Sequence, residues 1–423
     1  MSHSVATRIL DPIFTSKNRC EFRLDRDTLY SSDMRLLNVG IEQTTAGKFY
    51  NMLLGAEGVI QSIQLYDNNT MLSQILSATS WLGFSNLRKS NDTNISTSKQ
   101  LKHNALGFLA QGNQTYTNGD ADNNAVQLTI QQNDDSAMGG KAHMSLREVL
   151  PFLAAQATIP TNVFKRLRLV IEFKDQTELA DLTNDGTQTG LSVITGLQLV
   201  ADELTGRANP QDMKQREELM MNYPGVAWRE VEHDSVHIPA TGLTTDGVAV
   251  QTEDFLVSGF NEKSLRRLLL VNTPVSGYGA GTNDVARVGN AGSNTLYDGE
   301  VQVKVNGQNL FPGSGVKGAN RRLAKLTDAY GPIDATILGN KAGSVYANNI
   351  SDSLRDALGG RIDYTGMRVD RRINEMQIEV KRTGAYGTSN DNEILNTALT
   401  LNMYGEVDKG IVMDGMDYEV VYA

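Results

Sequence analysis

Apolar residues recur at every second position through many short stretches of this chain. Phe22 and Leu24 alternate with Arg23 and Asp25. Leu37, Val39 and Ile41 share one parity, as do Ile63 and Leu65, and Val126, Leu128 and Ile130 alternate with Gln127 and Thr129. The clearest case is Leu167, Leu169, Ile171 and Phe173, set between Arg166, Arg168 and Glu172. In the second half the same spacing appears at Val301, Val303 and Val305, at Met376, Ile378 and Val380, and at Leu399, Leu401 and Met403. A period of two with one apolar parity predicts a strand with one face on a core, and facing sheets satisfy many such strands at once. Leu167, Leu169, Ile171 and Phe173 are therefore expected to point inward, and Arg168 and Glu172 away. Helical spacing is scarce. It predicts a segment over Met71–Phe84 (Leu72, Ile75, Leu76, Leu82) and further helices over Asp212–Met221 and Asn320–Tyr330. Ser145-Leu146-Arg147-Glu148 reads as a capping box opening Leu146–Ala155, interrupted by Pro151.

The pattern of the first half returns in the second. Glu21-Phe22-Arg23-Leu24, a gap, then Met34–Val39 is echoed by Asp254-Phe255-Leu256-Val257, a gap, then Leu265–Val271, roughly 233 positions later. Gly58–Leu65 with its turn Asp67-Asn68-Asn69 is echoed by Gly299–Val305 with the turn Asn306-Gly307. Solenoid repeats have periods of about 20–50 residues, so this spacing predicts two similar β domains in tandem, with Phe22 equivalent to Phe255, Leu37 to Leu269 and Ile63 to Val303. The pattern breaks near 205–230, at Ala208-Asn209-Pro210-Gln211 and Asn222-Tyr223-Pro224-Gly225. The expected division is an N-terminal arm at 1–19, a first domain at 20–215 and a second at 216–423. The arm carries Arg8, Lys17 and Arg19 against Asp11 and is expected to run along a neighbouring subunit. Two long polar stretches, Lys89–Asn124 and Thr273–Asn294, are expected to be loops rising on one face.

Composition narrows the classes of function. The formal net charge is −10, which argues against a protein that coats nucleic acid. The single cysteine, Cys20, forms no internal disulfide and, beside a strand, reads as a buried thiol. Met1–Val5 has no apolar core of a secretory signal and no run approaches the roughly 18–20 residues of a membrane span. Candidate chemistry is thin. His233 and His237 are four apart, but Val236 and Ile238 make that stretch strand-like and no cysteine or third histidine is near. Gly277-Tyr278-Gly279-Ala280-Gly281 lacks the Lys-Ser/Thr ending of a phosphate loop. Ser276 lacks the first glycine of a nucleophile elbow, and Asp134-Asp135 lies in a solvated Asn/Gly-rich stretch. Asn91, Asn94 and Asn349 head sequons that carry no weight without a signal peptide. Arg321-Arg322 with Lys325 forms a small basic cluster, read as a solvated helix face or as an inter-subunit or membrane-facing contact. No catalytic, cofactor-binding or metal-binding residue is assigned, and the chain is expected not to be an enzyme.

The order of these elements resembles the double jelly-roll major capsid proteins of tailless membrane-containing phages, adenoviruses, virophages and polinton-like viruses. Asn18–Leu24 followed by Ser31–Val39 is similar to the family's opening strand pair, and Gly58–Tyr66 followed by Met71–Leu87 to its next strand and helix. Ser145–Leu153, Ile159–Phe164 and Leu167–Phe173 resemble the helix-and-strand element near the end of the first roll. The resemblance implies an all-β chain of two tandem eight-stranded jelly rolls with a few short helices and long surface loops. It implies a homotrimeric, pseudo-hexagonal capsomer in an icosahedral virion, made in the host cytoplasm. Its partners would be neighbouring capsomers, penton and minor capsid proteins, with a membrane or genome on the inner face and no sequence-specific nucleic-acid binding. Two alternatives stand beside it: a β-sandwich that binds or cleaves carbohydrate, which would need an aromatic platform and a carboxylate pair, and a spike or penton with a single roll.

Overall fold

The computed structural model describes residues 5–40, 49–51, 55–89, 114–115, 127–129, 141–175, 196–205, 210–239, 248–274, 300–313, 315–317, 319–331, 364–385, 398–414 and 417–422. The first half supplies strands β1 (Val5–Leu10), β2 (Phe14–Thr15), β3 (Arg19–Arg23), β4 (Leu29–Ser31), β5 (Arg35–Gly40), β6 (Phe49–Asn51), β7 (Ile60–Asp67), β8 (Thr70–Ile75), β9 (Gln114–Thr115), β10 (Gln127–Thr129), β11 (Lys141–Ser145), β12 (Thr158–Pro160), β13 (Leu167–Phe173) and β14 (Gln198–Leu204). The second supplies β15 (Val226–Ile238), β16 (Val248–Val257), β17 (Ser264–Pro274), β18 (Glu300–Val305), β19 (Gln308–Asn309), β20 (Val316–Lys317), β21 (Tyr364–Arg372), β22 (Met376–Ala385), β23 (Leu399–Asp414) and β24 (Asp417–Tyr422).

Two sheets face each other in each half. The first pair is β11-β5-β14-β4-β12, with β1 on β14, and β2-β3-β13-β7-β8. The second pair is β15-β23-β17-β21, with β24 on β23, and β16-β22-β18-β19, with β20 on β18. The central strands of the two halves correspond, while β4, β12 and the separate sheet β6-β10-β9 belong to the first half. β13 lies between β3 and β7 as β22 lies between β16 and β18, and β5 lies between β11 and β14 as β17 lies between β21 and β23. Even the entering strand matches, because β1 pairs with β14 and β15 with β23. The tandem repeat read from the sequence is thus the topology of the molecule.

Register refines the equivalences. Phe22 pairs with Leu169, and Leu169 with Leu65; Phe255 pairs with Ile378, and Ile378 with Val303. Phe22 and Phe255 therefore match, but the partner of Val303 is Leu65, two residues on from the expected Ile63. Ile63 and Leu65 share a face, so alternation does not separate them. The turns do: Leu65 and Val303 each stand three residues before the positive-φ asparagines Asn68 and Asn306. Leu37 and Leu269 share the parity that points off their own cores, since Leu36 and Leu268 are the inward neighbours.

The inward set of β13 is as expected, with Leu167, Leu169, Ile171 and Phe173 all buried and Arg168 and Glu172 only half-buried. Three other expectations are corrected. Met71–Phe84 is not one helix. Met71–Ile75 belongs to β8, hydrogen-bonded to β7, and the helix starts at Ala78 and runs to Lys89. Leu72 and Ile75 also fit a strand running off a two-residue turn, and the ladder decides. Ser145 makes no side-chain cap; a single 3-10 turn, Leu146–Glu148, precedes a separate short helix, Pro151–Ala154, because Pro151 lacks the N–H needed to continue a ladder. Residues 5–15 are no free arm. β1 lies antiparallel on β14, with Arg8 on Glu203 at 2.8 Å and Thr7 donating to Asp202 at 2.7 Å, and β2 pairs with β3. The expected boundary at residues 215 and 216 falls inside the helix Pro210–Met221.

Candidate functional site at the junction of the two rolls

The two rolls share a buried surface. The cluster that fills the first roll also contains Trp228, Val231, Leu269, Val271, Leu326, Tyr330, Tyr404 and Ile411 from the second half. The second roll has its own core between its sheets. Sheet β15-β23-β17-β21 therefore has one face on its own core and the other on the first roll. This explains why Leu268, Leu269, Leu270 and Val271 are buried in succession, as in strands covered on both faces.

Aromatic rings line the contact. Trp81 and Phe84, on the Ala78–Lys89 helix, meet Tyr404 of β23 at 5.8 Å and Tyr330 of the Ala319–Tyr330 helix at 5.0 Å. Phe152 packs edge-on against Trp228 at 5.1 Å. These edge-to-face and tilted pairs add to the area they bury. Tyr404 donates its hydroxyl to the Ser77 carbonyl at 2.7 Å, and Tyr418 donates to Asp67 at 2.8 Å, so each spans the boundary.

A polar network runs beside the rings. Glu230 of β15 accepts from Ser73 Oγ at 3.0 Å, from the Gln74 backbone N–H at 3.2 Å and from Trp228 Nε1 at 2.6 Å. Glu232 accepts from Gln74 Nε2 at 3.1 Å and from the Tyr422 hydroxyl at 2.8 Å, and faces Lys263 Nζ at 3.6 Å. Lys409 Nζ donates to the Met71 carbonyl at 3.3 Å and lies over the rings of Trp228 and Tyr422. Burial pushes the Glu230 carboxyl up to about 7, with Lys409, Trp228, Gln74 and Ser73 opposing it. Burial likewise pulls the Lys409 ammonium down, against Glu230 and Glu232. β8 is the outer strand of its sheet, and these charged groups satisfy its backbone where a further strand would otherwise pair.

The residues singled out in the sequence do not assemble into a reaction centre. His233 bonds to Asn402 Oδ1 at 3.0 Å and rests 4.9 Å from the Tyr404 ring, with burial lowering its pKa. His237 is exposed four residues further along the same strand, about 13 Å away at strand rise. Cys20 is buried, paired in the ladder with Thr15 of β2 and Ile171 of β13, its thiol pushed up to about 12 by desolvation, which leaves it a poor nucleophile. Arg321 is exposed, and Lys325 is exposed with Asp328 at 3.7 Å. Asn91, Asn94, Asp134, Asp135, Ser276, Gly277–Gly281 and Asn349 lie outside the described residues, as does nearly all of Lys89–Asn124 and Thr273–Asn294. Among the described residues no group of three metal-ligating side chains converges, and no helix is long and apolar enough to cross a membrane. Sequence reasoning missed the junction. Its one visible signal was the unbroken Leu268–Val271 run, and the charged members Glu230, Glu232 and Lys409 carried none.

No family model matches the chain and no curated protein matches its sequence. Solved structures do match. VP54 of PBCV-1, fitted into a reconstruction of the virophage Sputnik, is 12% identical with a TM-score of 0.57, covering 100% of this chain and 98% of that one. A chain of the Sputnik virophage itself is 10% identical with a TM-score of 0.56, covering 100% and 89%. The Faustovirus major capsid protein is 8% identical with a TM-score of 0.52, covering 98% and 91%. With its two matched pairs of sheets and a likeness that runs along the whole chain, this protein has the double jelly-roll fold.

Proposed function

We propose that this chain is a viral major capsid protein, three copies of which form a pseudo-hexagonal capsomer that tiles an icosahedral virion shell. The observation that carries the reading is the end-to-end match of both rolls, in order, to capsid proteins such as that of Faustovirus. The junction supports it. A shared apolar core and a bonded network join the rolls into one block, which is what a tile transmitting lattice contacts requires. The aromatic platform of a carbohydrate-binding sandwich has no support, because both tryptophans, Trp81 and Trp228, are buried at the junction. Assembly partners would be neighbouring capsomers, penton and minor capsid proteins. A contact surface for them is suggested where Val5, Ile9, Ile13 and Phe14 stand exposed within ten residues of chain. The test is the mass of the purified protein in solution, followed by assembly. A stable three-chain species that forms shells or sheets is expected; a monomer that binds glycans and does not assemble would overturn the reading.

A further inference from the structure

Glu230 holds a position where burial and partnership conflict. Its residue is fully enclosed, and its carboxylate reaches across the roll boundary to Ser73 and Gln74 on β8 while Trp228 holds its other oxygen. Lys409, on β23, reaches the same strand at Met71. One backbone donor and one backbone acceptor of β8 are thus satisfied by a carboxyl and an amine group from the other roll. The titratable groups around the carboxyl are Lys409 of β23, Tyr422 of β24, Lys263 from the turn before β17 and Glu232 of β15 itself. β8 (Thr-Met-Leu-Ser-Gln-Ile) and the Pro151–Ala154 helix (Pro-Phe-Leu-Ala), which pack on the same face, contribute none. Lys263 and Tyr422 engage Glu232, which leaves Glu230 to Lys409 and to neutral donors.

We propose that closure of the two rolls on each other is linked to uptake of one proton at Glu230, the junction being tightest when this carboxyl is neutral and loosening as it ionises. An ionised pair taken out of water recovers its hydration only in part, and here one carboxylate and one ammonium are both enclosed. The closed form holds the Glu230 proton up to about 7, whereas an opened junction returns the group to its ordinary 4.5. Between those values the closed form binds more protons, so closure weakens as pH rises, by up to about tenfold per pH unit. Lys409 contributes with the opposite sign: its depressed ammonium makes closure strengthen with pH between its lowered value and 10.5.

The indole N–H of Trp228 reports directly, because it donates to Glu230 at 2.6 Å. Its resonance in the full-length chain, assigned with a Trp81→Phe variant, is followed from pH 4 to 9 alongside the urea midpoint at each pH. The resonance is expected to titrate near 7, with the urea midpoint falling over the same range; in Glu230→Gln the indole titration and that fall are both expected to disappear, leaving any opposite slope from Lys409. Lys409→Met removes the cation that favours ionisation and should move the titration upward. An indole that titrates near 4.5 overturns the proposal, as does a urea slope that survives Glu230→Gln. If Glu230→Gln does not fold, Lys409→Met decides alone, and an unmoved midpoint refutes the link.

Discussion

Leu169 lies in the middle of β13, paired with Phe22 on one side and Leu65 on the other, and is 2% exposed. Removing its side chain leaves a cavity between two sheets that cannot close around it. Leu169→Ala should lower stability by about 2–5 kcal/mol, measured by urea unfolding; a loss under about 0.5 kcal/mol would contradict the inward placement. Gly405, on β23, tests the opposite limit. A Cβ there would meet Phe260 Cε1 at 2.5 Å and Leu265 Cδ1 at 2.7 Å. That ring and that methyl sit in the packed second core, so Gly405→Ala should cost about 1–3 kcal/mol by overpacking, and an unchanged unfolding midpoint would show that this core yields. At the junction, Glu230→Ala removes the acceptor shared by Ser73 Oγ, the Gln74 backbone N–H and the Trp228 indole N–H and should cost about 1–3 kcal/mol by urea unfolding; an unchanged midpoint would show that these donors find other partners.

Among the elements, β1 is the most informative, because its charge suggested an arm and its hydrogen bonds make it a strand. Six consecutive residues pair with β14, and Arg8 is held by two bonds to Glu203. Yet its side chains stay largely exposed, so the strand contributes ladder bonds more than buried area. A chain beginning at Asn18 should still fold, with stability lower by roughly 1–3 kcal/mol, and β14 should lose amide protection in hydrogen exchange. Full retention of β14 protection would show that the pairing does not form in solution. The helices Ala78–Lys89 and Ala319–Tyr330 follow equivalent hairpins, β7–β8 and β18–β19, and meet through Phe84 and Tyr330. Each repeat thus places a helix at the junction, and the repeat itself builds the contact between its two copies.

For the whole molecule, the decisive fact is that the first core is completed by the second half. Trp228, Leu269 and Tyr404 belong to the cluster that contains Trp81, Phe84 and Phe152. The rolls resemble each other in topology but are not independent in packing. A chain ending at Asn222 would expose the face that these residues cover. It should aggregate or bind a hydrophobic dye, whereas the full chain should not. A soluble first half with a sharp, cooperative unfolding transition would show that the junction is an accessory contact. The same packing accounts for the acidic pair of rolls holding one orientation: Tyr404 to Ser77, Tyr418 to Asp67 and Glu230 to Ser73 fix it at three separate places.

Alternation along the chain determined the strands, their inward faces and the doubling of the fold, because side-chain period and one-sided burial are local consequences of strand geometry. The inward row of β13 and the match of Phe22 with Phe255 were legible for that reason. What alternation left open is any shift by two residues, since it preserves the face; only the ladders paired Leu65 with Val303. Local pattern also does not separate a helix from a hairpin strand over a few residues, and hydrogen bonds to β7 placed Met71–Ile75 in a sheet. The charged junction was invisible for a deeper reason. Glu230 and Lys409 stand 179 positions apart, and in sequence each looks like an ordinary exposed charge. Only the packing of one roll on the other took them out of water and gave them their shared strand to hold.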